Sequence, residues 1–231
     1  MDEIIKWTNE NSGFLSLVLF LITVIYGWFS GIFQSLSKKP KLKIRFLEKA
    51  SFFSFYYTGE KWYNKELDEE FELHKTGFSV YMSIANIGDK PTSIDKISLG
   101  YEKSSTKRKW FKKDMVWLHQ WHSIDDFIIK FENDFLVIKN LRIRNKSYND
   151  SPNDNLGIGE SIVGVAYFEQ ETAWGNLNPH QNKQNGEIEI IIKISDVYGK
   201  SYNFKTKLKL LPIEKAREFN KHFGNVEKML K

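Results

Sequence analysis

The chain has 231 residues, 27% of them charged, a formal net charge of +5 and no cysteine. Length and composition suit one domain of moderate size and exclude an intrinsically disordered polymer. The lack of Cys also excludes a disulfide scaffold, a thiol nucleophile, an iron–sulfur cluster and a Cys-ligated zinc site.

Residues 1–12 form a short leader with one Lys against three acids, which leaves +7 for the remainder. Residues 13–36, GFLSLVLFLITVIYGWFSGIFQSL, contain no Asp, Glu, Lys, Arg or His. At about 1.5 Å per residue such a helix crosses a hydrocarbon core of about 30 Å. Trp7, Tyr26 and Trp28 supply aromatics for both interfaces. A signal peptide and a buried core helix are the competing readings. The first needs a basic leader and a small-residue cleavage site, whereas MDEIIKWTNENSG is acidic in balance and no A-x-A-like site follows. The second does not suit a run this long and apolar beside a small domain. Before the span stands Lys6 alone; after it come Lys38, Lys39, Lys41, Lys43 and Arg45. The positive-inside rule therefore predicts an outside N-terminus and a cytoplasmic domain on the inner membrane.

Residues 41–211 read as short strands separated by turns. KLKIRFL (Lys41–Leu47) alternates, with Leu42, Ile44 and Phe46 on one face. Phe52, Phe53, Phe55, Tyr56 and Tyr57 form an aromatic run with strand preference. Gly59–Lys75 is rich in charge and reads as a solvated loop or irregular hairpin. Phe78, Val80, Met82 and Ile84 alternate within the next strand, which ends at a turn over Gly88, Asp89, Lys90 and Pro91. Thr92–Tyr101 resumes as a strand through Ile94, Ile97 and Leu99. Phe127–Phe131 and Phe135–Ile143 are apolar runs split by Glu132, Asn133 and Asp134, as in a hairpin. Asn145–Asn155 is a polar, exposed loop. Ile158–Glu169, Glu187–Ser195 and Lys200–Leu211 complete the strands, the last two joined by a turn with Asp196 first and Gly199 fourth. This spacing indicates a sandwich or barrel rather than a βαβ fold.

Three segments carry a family resemblance. FSVYMSIANIGDKPTSIDKI (Phe78–Ile97) is a strand ending in Asn-x-Gly-x-x-Pro. LGIGESIVGVAYF (Leu156–Phe168) is a strand led by Gly-Glu, and SDVYGKSY (Ser195–Tyr202) is an Asp-x-x-Gly-Lys turn. Together they resemble the immunoglobulin-like β-sandwich of uncharacterised bacterial single-pass membrane proteins. The resemblance implies a mainly β fold, an immunoglobulin-like sandwich over residues 41–211, and no activity, because its motifs encode turns. The acidic 59–75 stretch and the long 100–124 stretch depart from a minimal sandwich.

After Pro212, the residues Ala216, Phe219, Phe223, Val226 and Leu230 recur every three or four positions. They predict an amphipathic C-terminal helix over 213–230, with Pro212 suited to its first turn. Packing on the sandwich outranks self-association, because two to three heptads are too short to hold a dimer alone.

The sequence holds no Walker A, HExxH, GxSxG or EF-hand motif. Gly157 and Gly159 lead into a strand, not a helix that would hold a phosphate. His119, His122, Asp125 and Asp126 could be taken as a metal cluster, yet on a strand positions i and i+3 face opposite ways, so an exposed polar patch is expected and no metal or cofactor. Asn145, Lys146 and Ser147 match the glycosylation triplet, which a cytoplasmic loop would not use. The unusual stretch is KRKWFKKDMVWLHQWH, where Lys107, Arg108, Lys109, Lys112 and Lys113 are interleaved with Trp110, Trp117 and Trp121. Cations beside aromatics suit a lipid headgroup surface or a protein partner. Nucleic acid is not expected, since a membrane tether raises the local concentration of lipid, not DNA. The plainest alternative is Trp117 in the core with the lysines as a solvated rim.

The expected function is a non-enzymatic interaction or sensing module at the inner membrane, with the bilayer and a protein partner or a second copy as partners. The alternative is a ligand-gated membrane effector, for example in bacterial immunity, whose β domain binds a small anionic ligand such as a nucleotide. A hydrolase using Asp125 and Asp126 is a third class, without an acid–base pair or activated nucleophile to support it.

Overall fold

The computed structural model describes residues 2–33, 38–104, 114–120, 125–132, 134–141, 155–173 and 177–225. Two helices open the chain, α1 (Asp2–Glu10) and α2 (Ser12–Phe29). The second has a mean hydropathy of 2.0 and is 6% buried. Its apolar side chains thus point away from the protein, unlike those of a core helix, and it is long and apolar enough to cross a membrane. The helix is shorter than the 13–36 span expected. Ser30 N–H closes it on Tyr26 O (2.8 Å), and Gly31 turns the chain at φ +78°, a left-handed geometry that glycine adopts without a Cβ penalty. Eighteen residues rise about 27 Å.

The strands are β1 (Leu42–Phe46), β2 (Phe52–Asn64), β3 (Glu69–Asn86), β4 (Thr92–Glu102), β5 (Met115–His119), β6 (Phe127–Lys130), β7 (Phe135–Ile138), β8 (Asn155–Leu156), β9 (Ser161–Glu169), β10 (Ile188–Asp196) and β11 (Ser201–Leu210). A short helix α3 (Ile213–Phe219) follows. Nine strands form one continuous ladder in the order β1, β3, β2, β11, β10, β4, β5, with β9 on β3 and β8 on β4; β6 and β7 pair separately. Among the paired strands only β2 and β11 run parallel, over Phe52↔Lys209 and Phe53↔Leu210.

The register explains the branching. Ser79 pairs with both Phe52 and Tyr167, and Met82 with both Phe46 and Gly164. Hence β9 occupies one edge of β3 while β1 and β2 share the other as a broken strand. Residues 47–51 bulge between them, pinned by Leu47 N–H to Tyr81 O (2.9 Å) and Tyr81 N–H to Ser51 Oγ (3.0 Å).

Alternation in β3 sends Phe78, Val80, Met82 and Ile84 to one face, where they join Leu99 and Tyr101 of β4 and Ile188, Ile190, Ile192 and Ile194 of β10 in one buried cluster. The other face of the ladder is covered as well, around β2, β3 and β9. Phe52, Val165 and Tyr167 pack with Phe127, Ile129 and Ile138 of the β6–β7 hairpin and with Ala216 and Phe223. Burial on both faces removes most of the apolar area of β9 from water and makes it the most internal strand segment.

One expectation narrows and another changes. Of the solvated loop and the irregular hairpin left open for Gly59–Lys75, the chain takes the hairpin: β2 and β3 continue paired through Asn64↔Glu69, with a register shift between Tyr57 and Lys61. The cross-strand ladder wins because Trp62, Tyr63, Phe71 and Leu73 have high strand preference despite the surrounding charge. The C-terminal helix stops at Phe219, where Asn220 turns extended (φ −150°, ψ 114°). Phe223 still reaches the sheet, and its ring packs against Phe52 (5.4 Å) and Tyr167 (5.1 Å). Val226 and Leu230 lie outside the described residues.

Candidate functional site

Of the surface expected from the sequence, Lys107, Arg108, Lys109, Trp110, Lys112, Lys113 and Trp121 lie outside the described residues. Trp117 is described, on β5, and is 44% exposed. Its place is neither the core nor open solvent. The ring lies flat on the outer face of β4, where a Cβ at Gly100 would stand 2.8 Å from it, so only glycine admits this contact. His119 is exposed on the same strand, while Asp125 pairs with His222 (3.0 Å) and Lys221 (3.2 Å). Among the described residues no group of three His, Asp or Glu is placed to hold a metal ion.

The structure forms a cleft that no local motif announces. It has a volume of about 580 Å³ and is lined by Phe55, Tyr56 and Tyr57 of β2, His74 of β3, Ser104, and the segment from Asn178 to Lys183. The floor exists because β2 and β3 run past the body of the sheet as a hairpin. The wall exists because Ser104 N–H bonds Asn178 O (2.6 Å) and His180 N–H bonds Glu102 O (2.8 Å), fastening the 178–183 segment to the end of β4. His74 Nε2 lies 3.1 Å from Asn178 Oδ1, and its ring meets Phe55 (5.9 Å) and Tyr57 (6.5 Å) edge to face. The lining carries Lys183, His74 and His180 but no carboxylate. An aromatic floor with one Lys and no carboxylate in the lining suits an anionic ligand with a flat moiety.

Beside the cleft a polar network fixes the ends of β4 and β9. Gln170 Nε2 donates to the Tyr101 hydroxyl (2.6 Å) and Thr76 N–H donates to Gln170 Oε1 (2.9 Å). Tyr101 itself donates to Leu177 O (2.8 Å). Burial pushes the Tyr101 phenol up to about 12, and the Gln170 hydrogen bond opposes this only in part. Burial likewise holds the Tyr167 phenol well above its ordinary value, reinforced by Glu169.

Beyond the cleft the β2–β3 hairpin carries exposed Trp62, Tyr63, Leu67 and Phe71. The Trp62 and Phe71 rings are 6.2 Å apart. Lys61 pairs with Glu70 (2.8 Å) and the Tyr63 hydroxyl with Asp68. A row of exposed large side chains on one arm is the mark of a contact surface rather than of solvent adaptation.

No family model matches the sequence, and a search of curated proteins finds no relative. Among solved structures, the X-ray structure of Northeast Structural Genomics Consortium target SoR45 is 9% identical, over 75% of this chain and 87% of that one, with a TM-score of 0.26. A likeness that distant carries no argument about fold or function.

Proposed function

We propose that the chain is a membrane-anchored, non-enzymatic interaction or sensing module of a bacterial inner membrane, its N-terminus outside and its β domain in the cytoplasm. The β domain is read as an immunoglobulin-like sandwich. Strand order supports this: β9, β3 and β1–β2 form one antiparallel ladder, β11, β10, β4 and β5 the other, and both contribute to one apolar cluster. The parallel β2–β11 contact joins the two at an edge.

The observation that carries the functional reading is the projecting hairpin. β2 and β3 spend eight paired residues between Lys61 and Glu72 on a segment that is largely exposed and adds nothing to either buried cluster. Such a hairpin is retained for what it touches. The test compares full-length protein with a Trp62→Ser, Phe71→Ser variant, each captured from intact membranes. A protein held by the first and lost by the second supports the reading. Identical captured sets would overturn it.

The cleft favours a second reading, a ligand-gated membrane effector that takes a small anionic ligand such as a nucleotide. Lys183 supplies a cation and the two histidines supply imidazole groups that can hydrogen-bond a ligand. A nucleotide that co-purifies with the full chain and is lost on Lys183→Ala would favour this reading over the first.

A further inference from the structure

The end of the β domain opposite the hairpin is built around one side chain. Asn86 is fully buried. Its Oδ1 accepts from Lys41 N–H (3.3 Å) and Gly88 N–H (3.1 Å). Its Nδ2 donates to Lys90 O (2.8 Å) and Leu156 O (3.2 Å). Its backbone bonds Glu160 O (3.0 Å) and Gly159 N–H (2.9 Å). Two loops, 87–91 and 157–160, and the chain segment arriving from α2 are thereby tied to a single point. That segment is held further by Ile87 N–H on Lys41 O (2.8 Å) and by Tyr202, whose hydroxyl lies 2.8 Å from Pro40 O. The 196–200 turn joins them, with Val197 N–H on Ser93 O (3.1 Å) and the Lys90 ammonium 4.3 Å from the Tyr198 ring centre.

The tips of these loops are apolar. Ile87 is 50% exposed, Ile158 60%, Val197 44% and Tyr198 55%. Turn tips are ordinarily Gly, Asn, Asp or Ser, so aliphatic side chains on three neighbouring tips need a partner. Around them Lys38, Lys39, Lys41, Lys90 and Lys200 are exposed, against exposed Asp89 and Glu160. Asp196 is buried and its carboxylate is occupied by the N–H groups of Tyr198 (3.0 Å) and Lys200 (2.9 Å).

The tether selects the occupant. Nine positions separate Phe29, the last residue of α2, from Lys38, so this end lies within about 32 Å of the helix end at about 3.6 Å per residue. The hairpin tip is carried away from it, since the 18 residues of β3 span about 55 Å. The hairpin also bears Glu66, Asp68, Glu69, Glu70 and Glu72, which anionic lipid would repel. On the reading that α2 crosses the bilayer, we infer that the Asn86 end of the β domain rests on the membrane surface, with Ile87, Ile158, Val197 and Tyr198 at the headgroup boundary and Lys90 and Lys200 against anionic lipid phosphates. Exposed apolar tips ringed by cations match that boundary in both hydrophobicity and charge. The domain then stands upright, its hairpin aimed into the cytoplasm.

The absence of cysteine makes the test direct. Single substitutions Ile158→Cys, Val197→Cys, Leu67→Cys and Leu19→Cys each carry an environment-sensitive fluorophore in the full chain. The chain is held in nanodiscs of phosphatidylcholine and phosphatidylglycerol with a lipid-borne quencher. All four positions are exposed, so labelling leaves the core intact. Labels at 158 and 197 should emit as in an apolar medium and be quenched by the lipid, and the label at 67 should read as aqueous. Adding Lys90→Gln and Lys200→Gln should weaken docking by about five-fold for each lysine and leave position 67 unchanged. Quenching at 19 with aqueous labels at 158 and 197 would overturn the docked domain and leave the membrane helix standing. An aqueous label at 19 would overturn the membrane reading, and this inference with it. Quenching at 158 and 197 that ignores the lysines would overturn the role given to anionic lipid.

Discussion

Asn86 concentrates more of the domain's polar order than any other described side chain at its end of the sheet. Asn86→Ala removes two donors and two acceptor contacts from a buried position. Leaving such backbone groups unmatched costs about 1–3 kcal/mol each, so we expect a loss of about 2–4 kcal/mol, read from urea unfolding of the full chain in detergent. A loss below 1 kcal/mol on the same scale would mean that the loops are held by backbone contacts alone. Tyr101 gives a second prediction at this scale. Its phenol is pushed up to about 12 in the fold against about 10 in an unfolded chain, so the neutral form is favoured on folding. Stability is then full below pH 10 and falls as pH rises from 10 toward 12. Tyr101→Phe should flatten that part of the alkaline profile while giving up the hydrogen bonds to Leu177 and Gln170. An alkaline profile unchanged by the substitution would locate the titration elsewhere.

At the scale of elements, the two aromatic assemblies differ in what they do. Phe223 is fully buried against Phe52 and Tyr167, whereas Phe71 on the hairpin is exposed and touches Trp62. Phe223→Ala should therefore cost about 3–5 kcal/mol, and Phe71→Ala no more than about 0.5 kcal/mol. Equal losses at the two positions, measured by thermal unfolding, would contradict the division between a structural and a displayed set. Deleting residues 213–231 goes further than the point change. It uncovers Phe52 of β2 and Val165 and Tyr167 of β9, so the melting temperature should drop. An unchanged melting temperature with a loss of oligomers would instead assign the segment to self-association.

For the whole molecule, orientation and architecture are linked. Five Lys and Arg stand between Lys38 and Arg45 and one before α2, and the proposed cytoplasmic placement of the β domain rests on that asymmetry. A fluorescent protein fused after Lys231 should light in the cytoplasm. Phosphatase activity of the corresponding periplasmic reporter would reverse the topology. Local pattern was enough for much of this. A long charge-free run needs no tertiary context, and period-two alternation marked β1, β10 and β11 within a residue and β3 from Gly77 onward, though not its first eight residues. The charges of 59–75 left a loop and an irregular hairpin both open, and the hairpin forms because a paired ladder satisfies the backbone whatever the side chains' polarity. The cleft was illegible for another reason. Its parts stand at 55–57, 74, 104 and 178–183, and only the aromatic run carried any signal, which strand preference already explained. The Lys107–Trp121 surface remains readable in sequence alone, except at Trp117.

The sequence by itself determined what depends on neighbours along the chain: one apolar helix long enough to cross a membrane, a β-rich remainder, the turns at Gly88–Pro91 and Asp196–Gly199, and a basic flank after that helix. Tertiary structure alone decided which strands meet. It placed β9 on the free edge of β3, joined β2 to β11, covered the second face of the sheet with Phe127 and Phe223, and gathered three apolar loop tips around Asn86. The physical reason is range. Periodicity and turn chemistry act over a few residues, whereas strand partners and shared cavities are set by the burial of side chains a hundred positions apart, for which the chain carries no local mark.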